Sequence, residues 1–170
     1  ITPKEMVVFA FLGALMFCSK MLTEFIPNVH FLAMLTIAYT VVFRAKALYA
    51  IFTFIMITGL FYGFGTWWVM YFYLWPILWG VTMLLPKNMP VKLAVPVYCT
   101  VACAHGLLYG TMCAPYQALL FGMDFNKMVA WIVAGLPWDL IHGIGNVAAS
   151  LLTVPVIKII KRAMRAAEAA

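Results

Sequence analysis

Charge is scarce in this sequence. Acidic residues number 5 and basic ones 11 in 170, so only 9% of positions are charged, against about a quarter in ordinary soluble domains. That shortage excludes a free-standing soluble fold, because 66% of the residues are hydrophobic and little is left to face water. Strict apolar-polar alternation is missing from the long apolar runs, which argues against a membrane barrel. Helices, which close their backbone hydrogen bonds internally, are favoured instead. There is no GxxxxGK[ST] loop and no HExxH pair, so the chain carries neither a phosphate cradle for ATP nor a zinc-protease helix. The four cysteines, Cys18, Cys99, Cys103 and Cys113, lie inside apolar runs and make no ligand pattern with nearby histidines. They read as small packing residues, and no metal or other cofactor is expected.

What the chain has is apolar length. A crossing takes roughly 20 residues, so 170 residues hold some five to seven spans and nothing else of domain size. Breaks fall at Pro27-Asn28, Arg44-Ala-Lys46, Gly63-Phe-Gly65, 86–90 and Gly122-Met-Asp124-Phe-Asn126, where proline, glycine and charge interrupt the runs. The reading is an all-α membrane protein, a single integral membrane domain over 1–170 with six transmembrane helices. The candidate spans run about 4–26, 30–43, 46–63, 66–85, 91–121 and 126–162. The last is too long for one crossing, and a break is expected at Gly135-Leu-Pro137.

With six spans and both termini cytoplasmic, Lys4, Arg44, Lys46, Lys87, Lys92, Lys158, Lys161, Arg162 and Arg165 all fall on the inner side. Only Lys20 and Lys127 do not, which is the positive-inside pattern of a plasma-membrane protein. The basic excess is thus topological. A nucleic-acid partner is not expected, since these residues are spread over short loops and a tail instead of one domain face. Ile1-Thr-Pro-Lys4-Glu5 leads into a full-length span without a small-residue cleavage site, so the first helix is expected to stay in the membrane. The start at Ile1 leaves room for a further N-terminal piece.

Against this background one stretch stands out: Pro137-Trp-Asp139-Leu-Ile-His142-Gly-Ile-Gly-Asn146. Asp139, His142 and Asn146 are spaced to share one face of the last helix. Counting about 1.5 Å per residue from the basic anchors, Lys20 lies about 24 Å up the first helix and His142 about 24 Å up the last. Glu24, Asp139, His105 and Asn146 come out within one or two turns of that level. Ionisable groups at such depth must pair or face a wet cavity. Lys20 has Asp139 or Glu24 as natural partners. Asp139 and Asn146 either staple helices or meet a substrate, His142 leans to ligand contact, and His105 reads as a core histidine.

Beyond this level the outer ends gather aromatic and small polar groups. Asn28 and His30 follow the first helix, Trp67, Trp68 and Tyr71 open the fourth, Tyr116 and Gln117 close the fifth, and Trp131 and Trp138 flank Pro137. An interfacial belt accounts for part of this. The cytoplasmic ends lack such a belt, so some of these rings are expected to line an outer pocket, closed by loops at Pro27-Asn28 and Gly63-Phe-Gly65. On the first helix, Ala10 and Ala14, with Gly13 beside them, form a small-residue stripe suited to close helix contact, within the chain or with a partner.

Together, the Ala10-x-x-x-Ala14 stripe, the six spans and the final-helix motif resemble the substrate-binding membrane subunit, or S component, of energy-coupling factor (ECF) transporters. The resemblance covers nearly the whole chain. It implies capture of a small organic micronutrient, a vitamin or related compound, at the outer face of a prokaryotic cell membrane. It implies docking through Ala10, Gly13 and Ala14 on a coupling transmembrane subunit driven by two cytoplasmic ATPases. Candidate substrate contacts are Lys20, Glu24, Asn28, His30, Trp67, Trp68, Tyr71, His105, Tyr116, Gln117, Trp138, Asp139, His142 and Asn146. Cobalt and nickel members carry a histidine-bearing N-terminus absent from Ile1-Thr-Pro-Lys4, so an organic substrate is favoured. The resemblance implies a binding subunit, not an enzyme. An independent proton-coupled secondary transporter is the main alternative, and an intramembrane acid-base enzyme using Asp139 and His142 the least favoured.

Overall fold

The computed structural model describes residues 1–168, and among them there is no strand. The helices are α1 (Pro3–Leu22), α2 (Leu32–Phe43), α3 (Ala47–Tyr62), α4 (Thr66–Met83), α5 (Val91–Leu107), α6 (Tyr109–Phe121), α7 (Phe125–Ser150) and α8 (Thr153–Glu168). The five breaks expected between spans are realised. Thr2 and Glu5 cap α1 reciprocally. Arg44, at φ 54°, turns the chain through a single 3-10 turn between α2 and α3. Gly63 at φ 89° ends α3, and Gly122 at φ 60° closes α6 in the left-handed conformation glycine tolerates. Asp124 then caps α7 by accepting from Lys127 N.

Four stretches are long and apolar enough to cross a membrane: Pro3–Leu22, Leu32–Tyr62, Val91–Phe121 and Phe125–Ser150. Helix α4 carries no charged residue, but its many Trp and Tyr weigh little on a hydropathy scale. The outer surface suits lipid. Phe11, Leu22, Phe61, Leu140 and Ile144 stand exposed around the helices, an apolar coat that a water-soluble monomer does not carry.

Two expected spans are divided. The stretch 91–121 bends at Leu108, where α6 restarts. The stretch 126–162 does not break at Gly135-Leu-Pro137: α7 runs through Pro137, and the break falls at Leu151-Leu152. Pro155 explains the position. Having no N–H, it cannot bond the Leu151 carbonyl, and it fits the first turn of a new helix. Pro137 withholds one bond within a helix that its neighbours hold on the far side.

Packing is closest between α5 and α7 and between α1 and α3. Both contacts depend on small residues. A Cβ on Gly106 would come within 2.8 Å of the Gly143 nitrogen, and one on Gly13 within 2.6 Å of Thr53 Cβ. Without a hydrophobic driving force in lipid, such backbone proximity supplies the dispersion contact that holds helices together. The core centres on Trp75, Tyr39, Phe54, Met16 and Ile51, all fully buried. Thr40, Thr58 and Thr82 lie among them and return their hydroxyls to carbonyls one turn earlier, which removes the cost of burying them.

The bundle has two chemically distinct ends. At one, Glu5 pairs with Lys46 at 2.6 Å, and Arg44 donates to the Met83 carbonyl. Lys87, Lys158 and Lys161 line one groove of this end. At the other end lie Lys20, Glu24 and the connection from α1 to α2.

Candidate functional site

At that second end a cavity of about 200 Å³ opens between α1, α4, α6 and α7, roofed by residues 26–30. Lys20, Glu24, Asn28, His30, Tyr71 and His142 line it, six of the residues singled out from the sequence. Tyr109, Thr23 and Val29 complete the wall.

Lys20 and Glu24 are one helical turn apart, with Nζ 4.0 Å from Oε1. The Lys20 ammonium also lies 4.1 Å from the centre of the Tyr62 ring, whose hydroxyl donates to Glu24 Oε2 at 2.9 Å. A cation, a carboxylate and a phenol thus tie the end of α1 to the end of α3. Of the two partners open to Lys20, the structure pairs it with Glu24.

Facing them are two imidazoles. The rings of His30 and His142 meet edge to face at 4.9 Å, and Tyr109 lies 4.8 Å from His142. His142 is 3% exposed. Neither its Nε2 nor Nδ1 of His30 has a hydrogen-bond partner among the described residues, although both are sealed from solvent. Buried polar atoms of this kind carry a desolvation cost until something bonds them. His30 lies in the connection ahead of α2, outside the helices, and burial pulls its pKa down to about 4. It is therefore neutral near pH 7, with a lone pair free to accept. Behind this face Tyr71 stacks on Phe54, Trp75 lies 5.8 Å from Tyr71, and His105 lies 5.5 Å from Trp75.

The other expected contacts lie elsewhere. His105 is buried, and the Leu74 carbonyl accepts from its Nε2 at 3.1 Å, a packing role below the cavity. Asp139 accepts the Gly110 N–H, and Asn146 donates to the Ala102 carbonyl at 2.9 Å. Both staple α7 to the bent α5-α6 pair. Trp68 donates to the Ile55 carbonyl and packs on Phe64. Trp67 touches Tyr71 at 5.4 Å without lining the cavity. Tyr116 borders a shallow groove on the outside of α4 and α6, and half-buried Gln117 is not on the cavity wall. Trp138 is 55% exposed; its backbone carbonyl, not its ring, meets Asn28 Nδ2 at 3.4 Å.

The expected roof is half right. Residues 26–30 line the cavity, but none of Gly63-Phe-Gly65 does; the exposed Phe64 ring packs against Trp68 instead. On α1, Ala10 is exposed and Ala14 partly so, whereas Gly13 is buried under α3 and unavailable to a partner. Cys18 is exposed instead of packed; Cys113 is buried, and all four cysteines are unpaired. Among the described residues no three His, Cys, Asp or Glu side chains gather as a metal site.

Tyr62, Tyr109 and Trp75 were not legible as site residues. Tyr109 follows a bend that nothing in the sequence marks as more than a continuation of the fifth span, and Trp75 sits mid-helix among other aromatics. Only Tyr62, next to Gly63, carries a positional signal.

The chain matches no family model, no curated protein and no solved structure.

Proposed function

We propose that the chain is the substrate-binding subunit of an ECF-type, ATP-driven importer, which captures a small organic micronutrient from outside a prokaryotic cell. In this reading six spans cross the plasma membrane with both termini inside, and the basic end of the bundle is cytoplasmic. The observation that carries it is the small cavity at the opposite end, with one ammonium, one carboxylate and two imidazole edges that have no internal partner among the described residues. Such a lining suits a compact planar solute with hydrogen-bonding edges, taken between aromatic walls. The exposed part of the small-residue stripe, Ala10 and Ala14, supports docking on a coupling transmembrane subunit that two cytoplasmic ATPases drive.

The test is uptake into vesicles containing the chain with and without its coupling and ATPase subunits. The proposal expects uptake only with those subunits and ATP. Uptake by the chain alone, following a proton gradient, would overturn it in favour of a secondary transporter.

A further inference from the structure

A second cavity lies at the basic end, away from the first. Between α2, α5 and α8 runs a groove of about 320 Å³ with Val41, Ala94, Val154 and Ile157 along its walls. Three ammonium groups, those of Lys87, Lys158 and Lys161, stand on its lining, and no carboxylate is among the lining residues. None of the three makes an ion pair among the described residues. Lysines brought together in this way repel one another unless an anion lies between them.

Further along the same groove is Tyr98. The residue is 2% exposed as a whole and forms part of the lining, while its hydroxyl makes no hydrogen bond among the described residues and is not sealed from solvent. Tyr98 lies two turns into α5 from Val91, so the groove lining combines three ammonium groups, apolar walls and one tyrosine hydroxyl. Pro90 and Val91, where α5 begins, are on the lining, so the positive end of that helix's dipole lies beside the groove.

We propose that this groove binds an anionic phospholipid, its phosphate held by Lys87, Lys158 and Lys161 and an acyl chain lying on the Val41-Val154-Ile157 wall. Charge complementarity selects the headgroup. The apolar wall distinguishes a lipid from a free anion, which would leave that wall uncovered. A zwitterionic lipid offers the same phosphate but brings its own cation to three others. The site is independent of the outer cavity and of what that cavity takes.

Native mass spectrometry of the full chain in detergent tests this, with phosphatidylglycerol, phosphatidylcholine or inorganic phosphate added separately. Phosphatidylglycerol should be retained in preference to phosphatidylcholine, and inorganic phosphate should neither bind comparably nor displace it. At about fivefold per lysine near a lipid phosphate, K87Q/K158Q/K161Q should weaken retention on the order of a hundredfold. The control K4Q/K46Q/R165Q removes as much charge from the same end and should change retention less than about threefold. Circular dichroism establishes that both variants are folded, and Tyr98→Phe, which keeps the ring, reads the hydroxyl alone through a smaller loss. Equal loss in both triple variants, equal retention of the two lipids, or full competition by inorganic phosphate would overturn the proposal.

Discussion

The Asp139 carboxylate of α7 receives the backbone N–H of Gly110 on α6 through both oxygens, at 3.0 and 3.2 Å. The bend at Leu108 creates this donor, because the first N–H groups of α6 have no carbonyl one turn back. A side chain from another helix therefore caps a helix start inside the bundle. Gly110 permits the approach, since a Cβ there would come within 2.5 Å of Asp139 Oδ2.

Removing either partner should therefore cost stability. Asp139→Leu leaves the N–H unsatisfied in an apolar setting, and a loss of about 1–3 kcal/mol is expected. Gly110→Ala should destabilise by displacing the carboxylate, and Asp139→Asn, which keeps an acceptor, should lose least. Thermal unfolding in detergent ranks the three. An unchanged melting temperature for Asp139→Leu would mean that the contact contributes nothing.

Ligand binding should separate residues on the cavity wall from those beside it. His142→Ala is expected to weaken binding of the captured solute by about tenfold or more, equivalent to about 1.4 kcal/mol. Trp138→Ala, at a ring turned away from the cavity, should leave binding unchanged. Isothermal titration of the purified chain reads both, and equal effects would sink the assignment.

Acid should loosen the roof over the cavity. The His30 pKa is lowered by burial to about 4 from an ordinary value of 6.5, so between those values the unfolded chain holds more protons than the folded one. The neutral ring's contribution is therefore complete above pH 6.5 and is lost as pH falls towards 4. His30→Gln should flatten that part of the stability profile, measured by thermal melts from pH 4 to 8. A wild-type profile already flat there would contradict the burial argument.

The small-residue stripe should divide into two behaviours. Ala14→Leu, on a partly exposed face, is expected to block assembly with the coupling subunit while leaving solute binding intact. Gly13→Ala should instead lower the melting temperature of the chain itself, because its new Cβ would meet Thr53 and the Ala50 carbonyl. Co-purification with the transporter subunits, set beside melting curves, distinguishes them. Intact assembly of the Ala14→Leu chain would remove the docking role.

Helices and turns were legible where a single residue type decides them. Gly63, Gly122 and the Asp124 cap punctuate the chain because their backbone chemistry is local. The α7-α8 break was misplaced because two prolines compete, and their order depends on what holds each flank. Pro137 lies in a helix that Asn28 and Asp139 contacts secure, whereas Pro155 opens α8. The site was half legible for a similar reason. Depth counting brings Lys20, Glu24 and His142 to one level, since rise per residue is fixed. It cannot say which way a side chain turns about its helix, and so it could not separate His142, in the cavity, from Asp139 and Asn146, which bond neighbouring backbones.

Capture of a small solute between Lys20 and the His30-His142 pair is the central claim, and native mass spectrometry of the chain released from its membrane tests it most directly. The account predicts a small organic molecule on the wild-type protein, or tight uptake of one from a micronutrient panel, and its loss from a folded Lys20→Met/His142→Ala variant. The same molecule held equally by that variant, or no binding by the wild type across the panel, would contradict it.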